Sequence, residues 1–178
     1  MSDPIENALP LLNPDFSEWT SVVGGYEIPT GWEAAGALPA QGAHLTQEQY
    51  ARHDAQGSLK ISSNLVGIPT WFGQKVEGLT PGQEYAFSGW VQVYELGDDD
   101  PLITCAYAVS LDGQEVSNTD GLSWSNILIS EKQVWVRFEY SFTATGEEVT
   151  VYFRHSSNLA GNNVSYWSDY NTAIPDEE

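Results

Sequence analysis

The chain has 178 residues, 41% of them hydrophobic, which suits a single domain with a real core. Acidic residues outnumber basic ones 25 to 6, and the formal net charge of −19 argues against the basic footprint of a nucleic-acid binder and against adsorption to anionic lipid. Such a charge serves solubility or the holding of divalent cations.

Residues 1–10, MSDPIENALP, read as a polar arm. They are acidic, are broken by proline, and lack the apolar stretch of a secretory signal. No run approaches the ~18 apolar residues of a membrane span. Leu11-Leu12-Asn13 offers a short first strand, and Asn13-Pro14-Asp15 then turns the chain into Phe16-Ser17-Glu18-Trp19. Pro29-Thr30-Gly31 leads into a second strand at Trp32-Glu33-Ala34-Ala35. Residues 37–56 are the least strand-like part. Gln47 to Ala51 tolerate a helix that Thr46 would cap, so a loop with at most one helical turn is expected there. Gly57 to Ser62 is a strand with Leu59 and Ile61 on one face. Thr70 to Glu77 alternates, setting Phe72, Gln74 and Val76 against Trp71, Gly73 and Lys75.

The most regular stretch is Leu79 to Tyr94. A turn signal, Thr80-Pro81-Gly82, opens onto alternation by twos. Tyr85, Phe87, Val91 and Val93 share an apolar face. Ser88, Trp90, Gln92 and Tyr94 share the other, which is either a solvated sheet surface or a platform for a ligand. Asp98-Asp99-Asp100 lacks the central glycine and closing glutamate of an EF-hand loop and reads as a solvated turn. Leu102 to Leu111 is a further strand, closed by the hairpin signal Asp112-Gly113. Its Cys105 lies in an apolar run, as a buried and inert thiol would, and as the sole cysteine it can form no internal disulfide. Residues 114–131 are polar and mixed around Trp124. Val134 to Phe142 sets Val134, Val136, Phe138, Tyr140 and Phe142 against Trp135, Arg137, Glu139 and Ser141. Val149, Val151 and Phe153 then oppose Thr150, Tyr152 and Arg154. Val164 to Ala173 is the last strand, before Pro175. Roughly nine strands with no sustained helical periodicity predict an all-β, antiparallel two-sheet sandwich over residues 11–174, with an acidic tail at 175–178.

Catalysis leaves a constellation in a sequence, and none is present: no phosphate-binding loop, no HExxH, no CxxC, no nucleophile elbow. His44, His53 and His155 are scattered. A pair of carboxylates distant in sequence keeps a glycoside hydrolase open as an alternative. Seven tryptophans and nine tyrosines carry more information. Sugars lay patches of C–H on ring faces and need amide or guanidinium partners for their hydroxyls. By parity Trp90, Gln92, Tyr94, Tyr152 and Arg154 fall on non-core faces, and Trp71 and Trp124 stand near enough in sequence to wall such a platform. Ordinary packing of these rings on a sheet face is the competing reading.

Asn13-Pro14-Asp15-Phe16, Pro29-Thr30-Gly31-Trp32, the Leu79–Tyr85 approach to Phe87-Ser88-Gly89-Trp90-Val91, Val134-Trp135-Val136-Arg137-Phe138 and the closing Ser165-Tyr166-Trp167-Ser168-Asp169-Tyr170 resemble, in order, the carbohydrate-binding modules of the galactose-binding-like jelly-roll type. The resemblance implies two antiparallel sheets and a poly- or oligosaccharide groove on the concave face or at the loop tips. It also implies a structural calcium near the joined chain ends, for which Asp15, Glu18 and Asp169 are the candidates. Ser17 and Tyr170 stand where such modules usually carry acids. The expected function is non-catalytic glycan binding at an extracellular surface. The alternative is a bacteriophage virion protein, for capsid decoration or adhesion, with the arm at residues 1–10 docking on capsid or other virion proteins. Neither role involves nucleic acid or membrane insertion.

Overall fold

The computed structural model describes residues 7–13, 16–21, 27–36, 43–48, 58–63, 69–93, 103–129, 131–157, 163–168 and 170. Among the described residues twelve strands follow one another: β1 (Trp19–Ser21), β2 (Glu27–Pro29), β3 (Glu33–Gly36), β4 (Ala43–Glu48), β5 (Ser58–Ser63), β6 (Thr70–Glu77), β7 (Glu84–Val93), β8 (Ile103–Ser110), β9 (Ser125–Asn126), β10 (Val136–Thr143), β11 (Glu148–Ser157) and β12 (Asn163–Ser168). They make two five-stranded sheets, in the orders β10-β7-β12-β5-β4 and β3-β6-β11-β8-β9, and a small β1-β2 ribbon. Every strand pairing is antiparallel.

The predicted alternation places the core. Phe87, Val91 and Val93 on β7, Leu59 and Ile61 on β5, and Trp167 on β12 are buried against Phe72 and Val76 of β6, Cys105 of β8, and Val149, Val151 and Phe153 of β11. Rings dominate the packing. Phe153 meets Tyr170 at 4.8 Å between centroids, Phe72 meets Trp167 at 5.3 Å, and Trp32 meets Phe16 at 5.2 Å. Each such pair adds roughly 0.5–1.5 kcal/mol to the area it buries. Gly89 sits under this cluster because a Cβ there would come within 2.6 Å of the Phe138 ring. One polar group spans the two sheets. Ser165 Oγ of β12 lies 2.7 Å from His155 Nδ1 of β11 and accepts from Trp167 Nε1 at 2.9 Å. Cys105 is buried beside it, and burial pushes its thiol pKa up, outweighing the opposing hydrogen bond to Ser165.

Several sequence expectations are corrected. Residues 43–48 form a strand, not a loop or helical turn: glutamine, glutamate and threonine here pair along β5 from Ala43 with Ser63 to Glu48 with Ser58. The start of the chain is not wholly an arm. Leu9 is fully buried in the core, its N–H donates to the Ala86 carbonyl at 2.7 Å, and Ala86 N–H donates to the Asn7 carbonyl at 3.1 Å. Leu11 to Asn13 form no strand. Instead Gln74, turned inward on β6, holds the Leu12 backbone through both side-chain amide groups, at 2.7 and 3.1 Å. The acidic turn at 98–100, the tail at 175–178 and His53 lie outside the described residues.

Candidate functional site

The outer face of the β7 sheet carries the stretch the alternation singled out. On β7, Trp90 pairs with Arg137 of β10 on one side and with Ser168 of β12 on the other. In the next row Gln92 pairs with Tyr166 of β12, and Tyr166 in turn with Lys60 of β5. Directly opposed side chains on one face stand about 4.5–5.5 Å apart. The two rows therefore bring an indole, a guanidinium, an amide, a phenol and an ammonium onto one surface. Trp90 and Lys60 are half-buried, Gln92 and Tyr166 are buried to their last tenth, and Arg137 keeps 16% of its side chain in solvent. Arg137 donates from Nη2 to Glu139 at 2.6 Å, while its Nε is buried without a hydrogen-bond partner among the described residues. Tyr94, predicted to continue this face, lies outside the described residues.

Tyr152, Arg154 and Trp71 belong to the other sheet, so the expected grouping of Tyr152 and Arg154 with Trp90 and Gln92 does not occur. Parity was read correctly for both strands, but β7 and β11 stand in opposite layers and their outer faces point apart. Trp71, Trp124, Tyr152 and Arg154 do come together, under the segment that links β8 to β10. Arg154 pairs across the sheet with Trp71, and its guanidinium carbon lies 4.4 Å from the centre of the Trp124 ring. Trp124 and Tyr152 meet edge to face at 6.1 Å. The polar atoms of Tyr152 and Trp71 are turned to the linking segment, while Arg154 Nε is buried without a hydrogen-bond partner among the described residues. Tyr152 Oη donates to the carbonyl of Asn118 at 2.8 Å and lies 2.9 Å from that of Glu115. Trp71 Nε1 donates to the carbonyl of Val116 at 3.2 Å, and Thr150 Oγ1 to that of Gln114 at 2.5 Å. A Cβ at Gly73 would come within 2.4 Å of the Val151 carbonyl oxygen and 3.4 Å of a Val116 methyl. Ala108, Val116 and Tyr152 make a second small core, with Trp71, Leu122 and Trp124 around it. Burial pushes the Tyr152 phenol up and the Arg154 guanidinium down in pKa. This face is roofed by the chain itself.

Of the three carboxylates assigned to calcium by resemblance, Asp15 and Asp169 lie outside the described residues. Glu18 is exposed in a turn whose oxygens are already engaged. The Glu18 carbonyl accepts from Asn13 Nδ2 at 2.7 Å and from Thr30 N–H at 2.9 Å, and the Phe16 carbonyl accepts from Trp19 Nε1 at 2.7 Å. Among the described residues no three metal-ligating side chains converge. Of the three candidates the described residues hold only the Glu18 carboxylate, where calcium takes six to eight oxygens. At the end of the β11 sheet an open hollow of about 660 Å³ is lined by Glu77, Asp112, Glu147 and Glu148 among others, an acidic surface with no grouping of ring and amide.

No family model matches the sequence, and no curated protein matches it. The architecture is that of known carbohydrate-binding modules. It superposes with a TM-score of 0.61, at 15% identity, on TmCBM61, whose structure was solved in complex with β-1,4-galactotriose, over 94% of this chain and 98% of that one. The CBM22-1 xylan-binding domain of Paenibacillus barcinonensis Xyn10C matches at 0.51 and 14% identity, over 97% of this chain and all of that one. The enzymatically active domain of tailspike protein 4 from bacteriophage CBA120 matches at 0.54 and 15% identity; 95% of this chain is covered, and 21% of the tailspike chain. These likenesses define the fold as the antiparallel β-sandwich of carbohydrate-binding modules.

Proposed function

We propose that the protein binds a poly- or oligosaccharide without cleaving it, on the outer face of the β7 sheet, at an extracellular or virion surface. One observation carries the reading. A half-buried tryptophan stands between a guanidinium and a hydroxyl, one row from an amide and a phenol, on a fold whose solved examples include modules with galactotriose and xylan named as their ligands. The indole offers a face for sugar C–H groups, and Gln92 and Arg137 offer hydrogen-bonding groups for hydroxyls. On the roofed face Tyr152, Trp71 and Thr150 are committed to the chain's own carbonyls and Arg154 lies over Trp124, and we read that face as structure. Titration calorimetry against galactan, xylan and acidic polysaccharides tests this. Binding without release of reducing ends, lost in Trp90→Ala, supports it; no binding to any of them, or turnover, rejects it.

The tailspike likeness favours a second setting, in which this sandwich is a glycan-adhesive part of a phage virion. Mass spectrometry of purified particles from a phage source would find the chain; its absence there would leave only the extracellular setting.

A further inference from the structure

We propose that the saccharide held on the β7 sheet is anionic, with carboxylates met by Lys60 and Arg137; this rests on the reading above. The chain offers 25 acids to 6 bases, so a cation here has carboxylates in plenty to pair with. Lys75 on the roofed sheet shows the usual outcome, standing 3.6 Å from Glu115 and 3.5 Å from Glu148. Arg154, also half-buried and without an ion pair among the described residues, has the Trp124 ring 4.4 Å from its guanidinium carbon instead; the remaining half-buried cation is Lys60. Its neighbours Leu59 and Ile61 anchor the strand in the core, its own side chain is half-buried on the outer face, and it makes no ion pair among the described residues. Lys132 also lacks one, but it is exposed, where water serves it. An anionic group on the saccharide would supply the counter-charge that Lys60 lacks among the described residues.

Arg137, on the same face, spends one donor on Glu139 and keeps others, including a buried Nε without a partner among the described residues. Between the two cations lie Trp90, Gln92 and Tyr166. Lys60 on β5 and Arg137 on β10 are separated by three strand spacings and by one row of two residues along the strands, roughly 16 Å. One carboxylate cannot reach both. A polymer with a carboxylate on successive sugars can, while its rings cross Trp90. The chemistry selected is therefore a uronic acid polysaccharide. The net charge of −19 repels such a polymer at a distance, but that field is screened beyond about 8 Å at physiological ionic strength, and the contacts proposed lie inside that range.

The test is isothermal titration of the full chain with a panel of uronic acid polysaccharides and the carboxyl-reduced form of each. At least one acidic form should bind about tenfold more tightly than its reduced counterpart. Lys60→Gln should remove most of that preference and leave affinity for the reduced form within about twofold, with Lys60→Arg retaining it, and Arg137→Gln should weaken the acidic form more than the reduced one. Reduced forms that bind as tightly as the acids, through Trp90, would overturn the charge assignment and leave glycan binding standing. Failure of every acidic and neutral polysaccharide would overturn the reading beneath it.

Discussion

The two outer faces of the sandwich carry almost the same chemistry to different ends. Each has tryptophan, tyrosine, arginine and lysine on adjacent strands. On the β11 sheet most polar groups are engaged: Tyr152, Trp71 and Thr150 hydrogen-bond to carbonyls of residues 114–118, Lys75 lies between two glutamates, and Arg154, whose Nε is buried without a hydrogen-bond partner among the described residues, lies over the Trp124 ring. On the β7 sheet Lys60 has no ion pair among the described residues and Arg137 retains a buried donor. An aromatic face becomes a candidate binding site through what its hydrogen-bonding groups are already doing, and a count of rings does not reveal that.

The roof is where this contrast breaks most visibly. Tyr152→Ala removes a fully buried ring and the hydroxyl that holds two carbonyls, and should cost about 3–5 kcal/mol in urea unfolding. Tyr152→Phe keeps the ring, leaves the carbonyls of Glu115 and Asn118 without their hydroxyl, and should cost about 1–3 kcal/mol. Neither should change saccharide affinity, measured on the folded fraction. A loss of affinity in Tyr152→Phe would mean the two faces are not independent.

How far the sequence carried can be said residue by residue. Parity along Leu79–Tyr94 and along Val149–Arg154 was legible, because alternation is a local property. Which sheet each strand joins was not, because strand order is decided by pairings far apart in sequence. That is why Tyr152 and Arg154 were grouped with Trp90, and why Tyr166 and Lys60 were missed. Arg137 was within reach, since the alternation around Phe138 already turned it outward. The roof was illegible for another reason: its hydrogen bonds end on backbone carbonyls, which every sequence possesses. The strand at 43–48 hid behind residues of mild helix tolerance, and pairing with β5 overrode that preference.

A smaller effect separates core from faces by pH. Burial raises the pKa of the Cys105 thiol and that of the Tyr170 phenol, so folding holds both in the protonated form. Their contribution is complete below the unfolded thiol value of about 8.5; above it the unfolded chain loses the proton first and stability falls as pH rises. Denaturant midpoints should therefore decline from about pH 8.5, more steeply above about 10 as tyrosine joins, and Cys105→Ala should delay the onset to about 10. A flat profile from 7 to 10 would contradict the burial assigned to Cys105. Smallest of all is calcium. The turn at Asn13–Glu18 is closed by its own hydrogen bonds, so melting temperature should be the same in millimolar calcium and in chelator. A rise of several degrees in calcium would instead show that Asp15 and Asp169 complete a site around Glu18.

The contrast between the faces reduces to two tryptophans. With the polysaccharide that the unaltered chain binds best, titration of Trp90→Ala and Trp124→Ala side by side should give at least a tenfold loss of affinity for the first and less than a twofold change for the second. Affinity that survives Trp90→Ala and falls in Trp124→Ala would place binding on the roofed face and contradict the account.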